Sequence, residues 1–358
     1  MPSRRTFLAG AVSAHLAPSL SWADAGSPAY LSAARAHDDT FHLFGLDADA
    51  RSLFSIPLPG RGHAAACHPV RPEAVAFARR PGTFALILDC VSGETRAHLT
   101  APDERHFYGH GVFSRDGARL YTTENAFELG EGRVGIWDAT DGYRRIGEVW
   151  SGGIGPHDIV RLPGSDTLVI ANGGIDTHPE SGRVKLNLPT MQPNLTYLDA
   201  GGAVLERAEA DPNLRLNSIR HLAVRSDGLV AFACQWQSDP FAKLVLQGTH
   251  RTGETLRWLE GPASQSLPSY AGSIAFSTDG RSLGVTYPRS GGYETWDLAS
   301  GDLGVHHQLD DACGIAPRQT GFLVTSGTGR IQSIMMAKAR SADQAMPVSW
   351  DNHLVAVG

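Results

Sequence analysis

The chain has 358 residues, of which 42% are apolar and 19% charged, with 40 glycines, 21 prolines and a formal net charge of −6. This is the composition of a folded globular protein rich in turns, and it excludes a disordered chain or a coiled coil. Acidic and basic residues are interspersed, so there is no electrostatic basis for binding nucleic acid or an anionic membrane surface.

The chain opens on "MPSRRTFLAG", in which Arg4 and Arg5 precede the moderately apolar "FLAGAVSAHLAPSLSWA" and small residues suited to cleavage after Ala23 or Ala25. Residues 1–25 therefore read as a signal peptide. The placement of Ser3, Arg4, Arg5, Thr6, Phe7 and Leu8 resembles a twin-arginine export signal, which delivers folded proteins to the bacterial periplasm. His15 and Pro18 interrupt the apolar run, which is too short for a confident membrane span. The expectation is a periplasmic protein with no integral membrane segment after cleavage, its residues 26–358 forming one domain.

Three strands follow, "AYLSAARAH", "TFHLFGLDAD" and "RSLFSIPLP". A recurring unit then begins. "HGVFSRDG" from His110, "HDIVRLPG" from His157, "HLAVRSDG" from His221, "SIAFSTDG" from Ser273 and "GIAPRQTG" from Gly314 are each eight residues ending in glycine, and each leads into a second apolar run. Asp-Gly and its counterparts supply the tight turn of an antiparallel hairpin. "HAAACHPVRPEAVAFARR" from His63 is a further copy with a different turn. Two more strands follow in the units where they can be traced, as in "GRVGIWDATDG" then "YRRIGEVW" and "YETWDLASG" then "DLGVHHQL". A four-stranded unit at this period is a propeller blade. Trp137 and Trp296 occupy matching third-strand positions, where a bulky aromatic packs blade on blade.

Six units start at residues 63, 110, 157, 221, 273 and 314. The seventh is assembled from both ends, with "NHLVAVG" at residues 352–358 as the inner strand beside the three N-terminal strands. The expected fold is thus all-β, a seven-bladed β-propeller whose ring is closed by its C-terminal strand. An eight-bladed or irregular ring is the alternative.

The heads of the inner strands are His63, His110, His157, His221, Ser273, Gly314 and His353. Five histidines at matched positions lining one channel point to a metal site. Imidazole suits transition metals, and five rings exceed what tetrahedral zinc needs, so iron or copper is expected ahead of zinc. An anion or small-molecule pocket built on the same rings and a purely structural ring stay open. Strand alternation puts Asp158 on the face opposite His157 and away from the site, and it turns Arg220 away too unless a bulge intervenes there. His106 and Tyr108 are candidates for supporting the site, whereas His68, His306 and His307 read as surface or blade-edge residues. No nucleophile–base pair can be placed, so a binding protein is expected ahead of an enzyme.

The longest insertion, "GGIDTHPESGRVKLNLPTMQPNL" at residues 173–195, offers His178, Glu180, Arg183, Lys185, Asn187 and Met191 to one end of the disc. It reads equally as a lid or docking loop and as ordinary padding. Cys67, Cys90, Cys234 and Cys313 form no CxxC motif, which argues against a zinc knuckle, a thioredoxin-like centre or covalent haem; a Cys67–Cys90 link is one available pairing.

Taken with the export signal, "YGHGVFS", "IGPHDIV" and "THPESGRVKLNLPTMQPNLTYLD" give a chain that resembles the bacterial domain of unknown function 1513 family across essentially the whole mature length. The resemblance implies a seven-bladed propeller associated with loci for imelysin-like periplasmic iron-uptake proteins, and it brings no catalytic residues, because the family has no settled activity. It favours iron or copper and a periplasmic iron-uptake partner. The leading expectation is a propeller that binds a transition metal in periplasmic iron or copper handling. The alternatives are a metal-free protein-interaction scaffold and a metal-dependent oxidoreductase or lyase.

Overall fold

The computed structural model describes residues 20–79, 83–182, 184–238, 245–260, 270–319, 321–335 and 338–357. The twin-arginine pattern at residues 3–8 lies outside them. Seven antiparallel sheets follow one another around a ring, each contributing one blade. Blade one spans residues 62–99, blade two 105–150, blade three 156–209, blade four 217–258, blade five 273–308 and blade six 312–345. Blade seven joins the strands Tyr30–Ala36, Phe41–Leu46 and Ser52–Leu58 to the C-terminal segment. Among the described residues the only helical elements are short 3-10 turns, and no helix is long and apolar enough to cross a membrane.

Each blade is built by the rule read from the sequence. First and second strands meet at turns whose Gly117, Gly164, Gly228 and Gly280 take positive φ, a conformation glycine adopts without penalty. The second and third strands are largely buried on both faces, as in the neighbours Ala76 and Phe77 or Tyr197 and Leu198, while fourth strands such as Arg144–Trp150 are largely open to solvent. Apolar side chains fill the clefts between blades. Trp137 packs with Val75, Phe77 and Ile87 of the preceding blade, and Trp296 with Ala231, Leu246 and Leu259. The indole of Trp137 donates to Thr122 Oγ1 at 2.9 Å, so its polar atom is satisfied inside the core.

The closure differs in detail from the expected single strand over residues 352–358. The inner edge of blade seven consists of Val348–Trp350 and Val355–Ala356, both pairing with Tyr30–Ala36. Trp350 faces Ala34 and Ala356 faces Tyr30, so six steps of chain answer four on the partner. Asp351 N still donates to Ala33 O at 2.9 Å, and the two extra residues lift Asn352–Leu354 out of the ladder.

The same irregularity recurs around the ring. Register shifts interrupt the inner strands between Gly62 and Ala65, Phe107 and Gly111, Pro156 and Asp158, Ile219 and His221, and Ala312 and Ile315. A bulge inserts extra residues, bends the strand and re-aims a side chain. These shifts all fall at the level of the matched histidines. Blade five alone is regular there, with Ser273 facing Thr286.

Trp350 is 1% exposed and meets Phe44 edge to ring at 5.4 Å, so the closure of the ring rests on it. Trp350→Ala is expected to lower the free energy of unfolding by about 3–5 kcal/mol. Trp150→Ala, at a 39% exposed position on an outer strand, should cost under about 1 kcal/mol. Urea unfolding followed by circular dichroism measures both; equal losses would show that the C-terminal segment does not lock the ring.

Candidate metal centre

The bulges bring His63, His110, His157, His221 and His353 together at one level of the channel. Ring centroids are 4.9 Å apart for His63 and His110, for His110 and His157, and for His157 and His221, while His353 stands 4.6 Å from His63 and from His110 and 5.0 Å from His221. Neighbouring residues make room. A Cβ at Gly109, whose φ is +103°, would lie 2.8 Å from the His63 ring. Gly314 carries no side chain because a Cβ there would meet Leu354 N at 2.6 Å and the carbonyl carbon of His353 at 2.9 Å. The sixth position lacks a histidine because the closing segment fills it.

Two triads have ligand atoms within 4.8 Å of one another: His63 with His110 and His353, and His110 with His157 and His221. His110 belongs to both. Its Nε2 lies 3.1 Å from Nε2 of His353, and its Nδ1 lies 2.5 Å from the carbonyl oxygen of His157. With Nδ1 donating to that carbonyl, neutral His110 presents an unprotonated Nε2 toward His353 and the cluster. Among the described residues, His157 Nδ1 and both ring nitrogens of His221 are buried with no hydrogen-bond partner. Each such buried atom costs about 1–3 kcal/mol unless something satisfies it. A metal ion is the group that accepts lone pairs from several neutral imidazoles at once, so the donor set fits one.

Burial depresses the pKa of all five rings. For His110, His157, His221 and His353 the drop is large and is reinforced by neighbouring histidines; Arg220 adds to it at His157 and His221. At His63 burial also lowers the value, against the pull of Asp351, whose carboxylate lies 3.5 Å away. The rings are therefore neutral and ready to coordinate near neutral pH.

Alternation fails at the two residues it turned away. The shift between Ile219 and His221 places Arg220 on the channel wall, and that between Pro156 and Asp158 places Asp158 there too. Asp158 accepts hydrogen bonds from Ile159 N and from Leu222 N of the next blade, and lies 3.9 Å from His110 Nδ1. Burial pushes its carboxyl up to about 7. Asp351, with no sequence motif to mark it, is a second anchor. It accepts from Arg61 at 2.7 Å and Arg79 at 2.6 Å, and although burial opposes this, His63 and the two guanidiniums hold its carboxyl well below the usual range.

The histidines form a septum between two cavities. One, of about 440 Å³, opens toward the loops that follow the second strands, and His63 and His157 border it; the other, of about 490 Å³, opens toward the hairpin turns and is bordered by His110, His221 and His353. Tyr108 lines the first, whereas His106 stacks on Phe127 at 5.6 Å and lies farther out. The insertion behaves as a wall. Asn187 ties it to Asp176 N and Gly174 O, Met191 is buried, and Lys185 and Thr177 line the first cavity.

Three further expectations are settled by the structure. His68 is a buried blade-linking residue, not a surface one: its Nδ1 accepts from Val70 N and Arg71 N, and its Nε2 lies 3.1 Å from Gly117 O of the next blade. The apparent surface signal came from the hairpin "HPVRP", whose turn the imidazole itself caps. His307 stacks on Tyr293 at 4.8 Å, and His306 on the same outer strand is 3.6 Å from the Glu294 carboxylate. Cys67 and Cys90 are free thiols, as are Cys234 and Cys313.

Residues 56–357 match the model of the family described as "Protein of unknown function (DUF1513)", and the chain belongs to that family. No curated protein matches it. Among solved structures, hydrazine synthase of Kuenenia stuttgartiensis is similar with a TM-score of 0.59 at 12% identity, over 94% of this chain and 98% of that one. At that identity the likeness speaks for the fold alone.

The depressed histidines link the site to stability. Between its folded and unfolded pKa values each ring is protonated only in the unfolded chain, so stability falls as pH drops below the ordinary 6.5. Asp158 acts in the opposite sense, losing stability as pH rises from 3.8 toward about 7, but it is one group. In metal-stripped protein, His157→Gln/His221→Gln should flatten the loss of stability between about pH 7 and about pH 5, by up to about 1.4 kcal/mol per pH unit for each ring. Urea midpoints across that range test this, and parallel slopes would contradict it.

Proposed function

We propose that this family member binds a transition metal ion at the histidine septum, with iron or copper preferred to zinc, and serves iron or copper handling in the periplasm. The carrying observation is the convergence of five imidazoles whose nitrogens include buried atoms with no protein partner among the described residues. His110 would be the shared ligand, with His63 and His353 on one side and His157 and His221 on the other. Nitrogen-only donors suit late first-row metals, and a set larger than four favours ions that accept more than tetrahedral coordination. When bound, such an ion supplies Lewis acidity or a redox couple. The chain's own contribution is to keep the rings neutral by burial, to fix the orientation of His110 through the His157 carbonyl, and to hold His63 against Asp351.

The paired arginines at residues 4 and 5 support export in the folded state, which is compatible with loading the metal before transport. A periplasmic iron-uptake protein is the proposed partner. The reading is of a binding protein, its imidazoles serving as ligands.

The test is elemental analysis by mass spectrometry of untagged protein, exported and purified without chelator. Iron or copper at near one ion per chain is expected in the parent and should be lost in His110→Ala/His157→Ala/His221→Ala, with circular dichroism showing that the variant is folded. Parent protein free of metal after incubation with iron, copper and zinc would instead favour the metal-free scaffold.

A further inference from the structure

The cavity on the loop side of the septum has a charge unlike that of the chain. Arg61, Arg79, Lys185, Arg220 and Arg289 line it, with Asp311 as the one acidic lining residue among the described residues, although the whole protein carries a formal charge of −6. Asp351 beneath the wall engages Arg61 and Arg79. Lys185 and Arg289 form no ion pair among the described residues, and the Arg289 guanidinium lies over the Tyr270 ring at 5.6 Å. Burial and the charges of Arg220 and Arg289 lower the pKa of Lys185, so these cations feel one another. Like charges held around a cleft with a low-dielectric wall repel each other and focus an attractive field on anions.

Tyr108, Ile175, Tyr270, Pro288 and Trp350 give the lining an apolar and aromatic part, and Thr177, Ser218, Gln235, Ser349 and Asn352 a neutral polar one. Its volume of about 440 Å³ is that of a pocket for an organic molecule of many atoms, larger than a single inorganic oxyanion requires. We propose that this cavity is a binding site for a small organic anion carrying two or more carboxylate or phosphate groups, seated on Lys185, Arg220 and Arg289 above His63 and His157. The site is separate from the septum and stands without a metal. Where a metal is present, the same field disfavours entry of a bare cation from this side and admits an anionic chelate, so the bound anion and the imidazoles would share one ion from opposite sides.

Isothermal titration calorimetry of the full metal-free chain with citrate, oxalate and 3-phosphoglycerate, and with inorganic phosphate as a control, tests the proposal. At least one organic anion should bind one to one, with affinity that falls as salt is raised. Lys185→Gln/Arg289→Gln should weaken it by about tenfold or more, which is about 1.4 kcal/mol or more. Lys185→Arg, which keeps the charge, should retain it, and so should His110→Ala/His221→Ala, whose rings border the other cavity. Failure of all three organic anions to bind, inorganic phosphate binding as tightly as they do, or an affinity untouched by Lys185→Gln/Arg289→Gln would each overturn the proposal. Loss in the histidine variant alone would also overturn it, by placing the anion on the imidazoles. Metal content is read separately, so absence of metal with anion binding intact would defeat the septum reading and leave this one standing.

Discussion

The centre depends on a backbone constraint: extra residues inserted into the inner strands at one common level. A regular strand alternates its side chains and offers the channel every second residue. At the bulges that alternation breaks, and consecutive residues such as Arg220 and His221 both reach the channel. Five rings can then meet where regular strands would leave a wider, mixed lining. The bulged segments give up ladder hydrogen bonds, which the surrounding blades offset by packing both faces of their second and third strands into the clefts.

Burial then decides the electrostatics. Converging imidazoles cannot all carry protons, and low access to water together with their mutual repulsion holds them neutral. The charges sit around them. Arg61 and Arg79 are tied to Asp351, Asp158 is tied to the amides of two blades, and the remaining cations face the loop-side cavity. Neutral imidazoles thus occupy the middle of the channel, with cations at one mouth.

The fold and the five histidines were legible because they rest on local signals. Hairpin turns announce themselves through glycine, and an eight-residue frame ending in that glycine aligns His110, His157 and His221 without any knowledge of contacts. The departures came where tertiary structure overrides a local rule. Strand parity misplaced Asp158 and Arg220 because a bulge leaves no composition mark of its own. His68 looked peripheral in "HPVRP", yet it caps that turn and reaches Gly117 of the neighbouring blade. Asp351 and Arg79 are drawn together only by closure of the ring, across 272 positions of sequence. Gly314 is explained only by the C-terminal segment that passes against it, a contact no repeat alignment contains.

The most direct measurement is anomalous diffraction at the iron and copper absorption edges, on crystals of protein loaded with each metal. The account predicts one peak at the septum, with His110 Nε2 and nitrogens from at least two of His63, His157, His221 and His353 at roughly 2.1 Å, an ordinary metal–imidazole distance. A peak away from these rings, or loaded crystals in which His110 and His353 keep their mutual 3.1 Å contact with no anomalous density between the imidazoles, would contradict it.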